Sequence, residues 1–317
     1  MPRLANQLIG QNTFSFKVAL LTLALLFAVG CGGDAKDKDG KDGANAGGDK
    51  PTLVFTAIPS KNEADLKKGF DLWAKHLSEK LGVKVEYKPV TDYKASVEMF
   101  KTGDVQLAWF GGFSGVQARA AVPGSQAIAM GAEDPNYVSY FIANKETGLT
   151  KSDDFPAKIA DLKFTFGSPG STSGRLMPTY FIQKESGKTL KEFFKTEPGY
   201  QQTGGHDATL DAVLAGSYDV GVLDHKVYKS RLVKDPAVAE KTPIIWITPG
   251  YTDYNFTAHP KLKEMYGDDF ITKLQIVIVE TKDKALLHAF PRSGMIEASN
   301  KDFDNIEKTA KALGLMR

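Results

Sequence analysis

Phe164-Thr165-Phe166-Gly167-Ser168-Pro169-Gly170-Ser171-Thr172-Ser173-Gly174-Arg175 runs from an apolar, strand-forming segment through glycines and clustered hydroxyls into the start of a helical pattern. At a helix N-terminus the first backbone N–H groups lack intrahelical partners and the peptide dipoles sum to a partial positive charge, so the junction can hold an oxyanion. Ser171, Thr172 and Ser173 add neutral donors to such a cradle. A purely structural reading, with Ser171 or Ser173 capping the helix, fits the same stretch.

Working outward, the segments on both sides alternate strand and helix. Leu53 to Ile58 reads as a strand, followed by Asn62 as a cap and the helical stripe Leu66, Phe70, Trp73, Leu77, Leu81, which Gly82 ends. Val83, Val85 and Tyr87 alternate as a strand, Ala95 to Thr102 forms a short helix stopped by Gly103, and Val105 to Phe110 makes the next strand. After Ala143 the theme repeats: strand Phe164 to Phe166, helix Thr172 to Lys184, strand Tyr200 to Thr203, helix Ala208 to Leu214, strand Val220 to Leu223. This predicts an α/β fold of two lobes with parallel crossovers and a ligand cleft between them. Tyr137 to Ala143 and Tyr254 to Ala258 are the expected hinge crossings, and Ser293 to Leu313 the closing helix. The expected division is 51–141 with 252–317 for lobe one and 142–251 for lobe two. His76 lies off the apolar stripe and reads as a surface histidine, whereas Trp109 and Phe110 read as core at a strand end.

The N-terminus places the domain. Arg3 and Lys17 are the only charges before Asp34, and Val18 to Gly30 is an apolar run of thirteen residues ending in Ala28-Val29-Gly30-Cys31. That is short for a membrane span and right for a signal peptide. Cys31 is the only cysteine, so no intrachain disulfide exists, and a cysteine nucleophile is absent from the folded domain. Small residues before it resemble the lipobox of bacterial lipoproteins, in which the cysteine is lipidated, although Leu is commoner than Ala at position 28. Residues 1–30 are then a lipoprotein signal peptide. Gly32 to Lys50 contain six Gly, five Asp, four Lys, three Ala and one Asn, with nothing to bury, and so read as a flexible tether over 31–50. Loss of Arg3 and Lys17 leaves 38 basic residues against 38 acidic, so no electrostatic footprint for nucleic acid exists.

The ordered set of motifs resembles the substrate-binding proteins of phosphate, phosphite and phosphonate ABC transporters, over Leu53 to about Lys263. It comprises Asp92-Tyr93 before a helix, Gln106-Leu107-Ala108-Trp109-Phe110-Gly111-Gly112, Tyr137, Ser171-Thr172-Ser173-Gly174 with Pro178, and Gly204-Gly205-His206-Asp207 with Ala212-Val213 and Asp219-Val220. The resemblance implies a periplasmic-binding-protein fold, no catalytic residue, no cofactor, and a monomer. Its implied partners are a small oxyanion, a permease with its ATPase, and a bacterial membrane reached through lipid on Cys31, with the domain facing the periplasm or exterior. It also implies that Tyr93 and Tyr137 from one lobe and Ser171, Thr172, Ser173 and His206 from the other close around a tetrahedral oxyanion. Hydroxyls on short or stiff stems suit that role, since each hydrogen bond to a charged acceptor is worth roughly 1.5–3 kcal/mol. Tyr93 and Tyr137 also fit half-buried core aromatics, and Asp207 a helix cap.

Departures narrow the ligand. Family members that hold aminoalkylphosphonates place carboxylates where Lys226 and Tyr254 stand here, and lysine repels an ammonium and attracts a dianion. Asp224, nearby, would accept a proton from phosphate or phosphite but repel selenate. The run from Trp109 to Arg119 resembles a subgroup assigned to selenate uptake, and an all-donor shell would suit that dianion. Selenate, phosphate and phosphite are thus the expected ligand class, with a phosphonate binder or a tethered sensor domain as alternatives. Ser171 or Ser173, His206 and Asp224 supply the residue types of a hydrolase, but no Gly-x-Ser-x-Gly elbow occurs. The five histidines are too scattered for metal capture.

Overall fold

The computed structural model describes residues 51–61 and 63–316; Cys31, the tether and the expected Asn62 cap lie outside them. Eleven strands form among the described residues: β1 (Leu53–Ala57), β2 (Val85–Tyr87), β3 (Leu107–Phe110), β4 (Gln126–Gly131), β5 (Ser139–Ala143), β6 (Phe164–Phe166), β7 (Gly199–Tyr200), β8 (Val220–Asp224), β9 (Ile244–Ile247), β10 (Asn255–Ala258) and β11 (Met295–Glu297). They make two mixed sheets, ordered β11-β4-β10-β3-β1-β2 and β7-β6-β8-β5-β9. β1 runs parallel to β2 and β3, while the returning β10 lies antiparallel between β3 and β4. In the second sheet β6 is parallel to β7 and β8, and β5 pairs antiparallel with β8 and β9. This is the two-lobe α/β architecture, one sheet to each lobe.

The helices follow their sequence signals. Helix α1 (Glu63–Leu81) buries Leu66, Phe70, Trp73 and Leu77, and Gly82 ends it at φ 64°. Trp73 packs with Phe256 and Phe290, and Phe55 with Phe70, so an aromatic cluster fills the first lobe. Helix α2 (Tyr93–Thr102) begins two residues before the expected Ala95 because the Asp92 carboxylate caps it, accepting from the Ala95 N–H. Helix α3 (Gly112–Ala121) starts directly after β3.

Several expectations are corrected. The strands 139–143 and 255–258 lie wholly inside the two sheets, so the crossings between lobes are the segments before them, 132–138 and 248–254. Residues 139–141 thus join the second sheet, not the first. The crossings run side by side, bridged at Tyr137 and Tyr251 by mutual N–H···O=C bonds of 2.7 and 2.9 Å. The expected closing helix over 293–313 divides into β11, which pairs with β4, a 3₁₀ turn at Asn300–Phe303, and a helix at Asp304–Ala312. A reciprocal Ser299/Asp302 cap starts the helical part only there. His76 lies off the apolar stripe as expected but is half-buried: its Nε2 lies 3.1 Å from Thr281 Oγ1 and its ring meets Trp73 edge-on.

Candidate functional site

After β6 the chain does not enter an α-helix directly. Thr172–Leu176 is a wide π-helical turn, closed by the Leu176 N–H donating to the Ser171 carbonyl at 3.0 Å, and α4 (Met177–Ser186) follows. Such turns recur at functional sites. Ser171 caps it, its Oγ accepting from the Gly174 N–H at 2.9 Å, so the capping reading holds; its hydroxyl also pairs with Tyr93. Gly174 is closely surrounded: an added Cβ would stand 3.0 Å from Ser171 Oγ, 3.1 Å from the His206 ring and 3.2 Å from Gly167.

Both lobes meet at the cradle. Thr172 Oγ1 accepts from the Phe113 N–H at 3.0 Å, and Asp253 Oδ1 accepts from the Gly112 N–H at 2.8 Å. Two N–H groups in the first turn of α3, a second helix N-terminus, thus find their partners in Asp253 and the cradle. The Ser173 carbonyl accepts from Ser139 Oγ at 2.7 Å, and Ser139 Oγ lies 2.6 Å from Tyr251 Oη.

α5 (Leu190–Phe193) precedes β7, and between β7 and β8 the chain makes α6 (Gly205–Leu214). His206 sits in the first turn of α6 and not in a loop, because Gly204 at φ 78° starts the helix earlier than Ala208. Asp207 does not cap it but pairs with Arg231 at 2.9 Å. His206 Nδ1 accepts from the Asp224 backbone N–H at 3.3 Å, which puts the ring hydrogen on Nε2, 3.5 Å from Ser173 Oγ. Burial lowers its pKa, so a neutral ring offers a donor to the cradle.

Asp224 caps α7 (His225–Lys234) through the Lys226 and Val227 N–H groups and accepts from Tyr137 Oη at 2.6 Å and Tyr254 Oη at 2.7 Å. Burial opposes its charge, but His206 and His225 when protonated, the Arg292 guanidinium and the Tyr137 hydroxyl outweigh that and hold it down at about 2. Asp253 behaves oppositely. Its burial is complete, Oδ2 has no partner, and its carboxyl is pushed up to about 8 although Gly112 and Thr172 donate to it.

Tyr93, Tyr137, Ser171, Thr172, Ser173, His206, Asp224 and Tyr254 are all buried in one region. Lys226 differs from expectation. Its Nζ lies 3.1 Å from Glu133 Oε1, so a carboxylate offsets its charge, and its case for a dianion or against an ammonium lapses. It does border, with Asp224, Tyr254 and Trp109, a small cavity of 30 Å³. A larger groove of 670 Å³ lies elsewhere, along Asn144, Lys145, Gly216 and Asp219, and holds none of the convergent donors. We locate the site by those donors.

Sequence reading missed Asp253, Tyr251 and the Arg292–Asp134 pair. Tyr251 and Asp253 are buried on either side of the half-buried Thr252, so alternation was an available signal. Arg292 grips buried Asp134 by a fork, with Nη2 to Oδ1 at 2.8 Å and Nε to Oδ2 at 3.0 Å, and its guanidinium stacks 5.0 Å from Tyr137 and 4.9 Å from Tyr254. A hydrolase triad does not form: His206 Nδ1 accepts from the Asp224 backbone N–H instead of donating to its carboxylate, and Nε2 carries the hydrogen that a base must lack. Among the described residues no group of three or more His, Cys, Asp or Glu side chains is placed to hold a metal, and no helix is long and apolar enough to cross a membrane.

Comparison with known proteins agrees with this geometry. Residues 55–303 match the family described as ABC transporter, phosphonate, periplasmic substrate-binding protein. The chain is 38% identical over 272 residues to the probable ABC transporter phosphite binding protein PhnD1 of Prochlorococcus marinus, covering 84% of this chain and 91% of that one. It is 31% identical over 284 residues to the phosphate-import protein PhnD of Mycolicibacterium smegmatis, covering 86% and 83%. A solved structure of the P. marinus PhnD1 in complex with methylphosphonate superposes with a TM-score of 0.77, over 83% of this chain and 98% of that one, at 38% identity.

Proposed function

The chain belongs to the phosphonate ABC-transporter family of periplasmic substrate-binding proteins, and we propose that it captures a small phosphorus oxyanion bearing a proton, of the phosphite, methylphosphonate or phosphate class, in preference to selenate. The observation that carries this reading is Asp253: a buried carboxyl, pushed up to about 8, with Oδ2 unpartnered beside the hydroxyl cradle. A neutral Asp253 donates to a ligand oxygen, and an ionised one accepts from a ligand P–OH. Either way one proton is shared across the contact. Selenate and sulfate carry no proton near neutrality, and the ionised Asp224 adds a fixed negative charge that disfavours a second charge on the ligand. The names of the relatives support the same class, one a phosphite binder, one a phosphate importer, one solved with methylphosphonate.

In this reading Tyr93, Tyr137, Ser171, Thr172, Ser173, His206, Asp253 and Tyr254 surround the anion. Each sheet with its helices moves as a lobe, and lipid on Cys31 tethers the domain to the membrane beside its permease and ATPase. Calorimetric titration of the tag-free domain with phosphite, methylphosphonate, phosphate, selenate, selenite and sulfate tests it. Binding of a phosphorus anion without selenate or sulfate is the expected result; tight binding of selenate overturns the preference, and no binding of any anion overturns the oxyanion reading.

A further inference from the structure

We infer that Asp224 is a positioning residue that turns the Tyr137 and Tyr254 hydroxyls away from the ligand as donors, so that they meet it as acceptors and select a ligand carrying a donor on that side. This deepens the oxyanion reading above and rests on it. The Asp224 carboxylate receives Tyr137 Oη at 2.6 Å, the Lys226 N–H at 2.6 Å and the Val227 N–H at 3.4 Å on Oδ1, and Tyr254 Oη at 2.7 Å on Oδ2. Three of these donors fall on Oδ1 and one on Oδ2, so most of the carboxylate's lone-pair sites are taken and it acts chiefly through its neighbours. A hydroxyl owns one hydrogen. With that hydrogen committed to Asp224, each tyrosine oxygen keeps only lone pairs for a ligand.

The cleft is therefore two-faced. On one face stand the hydroxyls of the cradle and the His206 Nε2–H, beside the start of α3, whose Gly112 and Phe113 N–H groups donate to Asp253 and Thr172. On the other stand two tyrosine oxygens that only accept, their rings held in place by the Arg292 guanidinium and by each other at 5.5 Å. The two faces are close: Tyr254 lies within electrostatic range of Tyr93, which pairs with Ser171, and the Asp224 backbone bonds to His206, which reaches Ser173. A tetrahedral anion with one P–OH satisfies both faces. An anion of equal size and charge without that proton leaves lone pair against lone pair.

Methylphosphonate monoanion and methanesulfonate form such a pair, matched in shape and charge and differing by the proton. On the acid side of neutrality, wild type is expected to bind methylphosphonate at least about tenfold more tightly, the ratio that one unmatched buried hydrogen bond produces. Asp224→Asn is the test variant. Its Oδ1 can keep the α7 cap, and its Nδ2 then donates to Tyr254 Oη, which frees that hydroxyl to point into the cleft. The preference should shrink by about tenfold or more, mostly through gained methanesulfonate affinity. Should this variant fail to fold, Tyr254→Phe decides: lost methylphosphonate affinity with methanesulfonate unchanged supports the inference, and an equal effect on both, or none, overturns it. A folded Asp224→Asn with an unchanged ratio, or wild type that binds both ligands equally, overturns the inference alone. Wild type that binds neither overturns the oxyanion reading and this inference together.

Discussion

The backbone N–H of His206 donates to the Ser60 carbonyl at 2.9 Å, so the loop after β1 of one lobe rests on the first turn of α6 in the other. Gly205 makes that approach possible. Its φ is 60°, and an added Cβ would stand 2.7 Å from the Lys61 amide nitrogen.

Gly205→Ala should therefore hold the lobes apart as well as strain the backbone by about 1–2 kcal/mol. The expected outcome is at least about a tenfold loss of affinity and, in solution scattering, little or none of the ligand-induced compaction expected of wild type. Wild-type affinity in the variant would contradict the role of this contact.

The donors around the cradle give a graded set. Ser171→Ala, Ser173→Ala, Tyr93→Phe and His206→Ala should each weaken anion binding by roughly 1–3 kcal/mol with the fold retained. Thr172→Val should do the same and also destabilise the unliganded protein, because it strips the Phe113 N–H of its partner. Calorimetry and urea denaturation separate the two effects.

Asp253 and Asp224 pull stability in opposite directions with pH. The folded pKa of Asp253 is raised from 3.8 to about 8, so the native state binds a proton that the unfolded state has released. Its contribution falls as pH rises from about 4 to 8, by at most about 1.4 kcal/mol per unit, and levels off above. Asp224, lowered to about 2, contributes stability above 3.8 that disappears as pH falls through the folded value. Denaturation midpoints measured from pH 5 to pH 8 should decline less steeply in Asp253→Asn than in wild type. Parallel slopes would show that Asp253 does not hold its proton.

Arg292→Met should destabilise by about 3–5 kcal/mol, since it leaves the Asp134 carboxylate buried without its partner. Arg292→Lys keeps a charge but loses the fork and the stacking on Tyr137 and Tyr254, so it should recover only part of the stability and little of the anion affinity. Urea unfolding and titration of both variants check this.

Cys31→Ser should leave the chain unprocessed or released from the membrane. Fractionation that finds it processed and still membrane-bound would reject lipid attachment at this residue.

Much of the fold was readable because its signals are local. The stripe Leu66, Phe70, Trp73, Leu77 needs only helical spacing, and Gly82 and Gly103 stop their helices by their own left-handed backbone. Where a distant partner decides, the reading failed. Met295–Glu297 became a strand because β4 was there to pair with it, and His206 entered a helix because Gly204 caps without a side chain to announce it. The hydroxyl cradle was legible as a strand-to-helix junction. Asp253 was not, since its environment is set by the Gly112 N–H, 141 residues away in sequence, and by Thr172. Lys226 misled for the same reason: Glu133, which offsets its charge, stands 93 positions earlier.

The paired crossings at Tyr137 and Tyr251 form a ribbon, and a ribbon flexes about one line. Two separate strings between the lobes would permit sliding and twisting; strings sewn together by main-chain bonds leave chiefly a single angle to vary. Anything that grips the outer ends of the lobes then works a lever with its fulcrum at those peptide groups. Prising them open separates the hydroxyl turn from α3 along one arc, so the cargo loses both walls in the same motion.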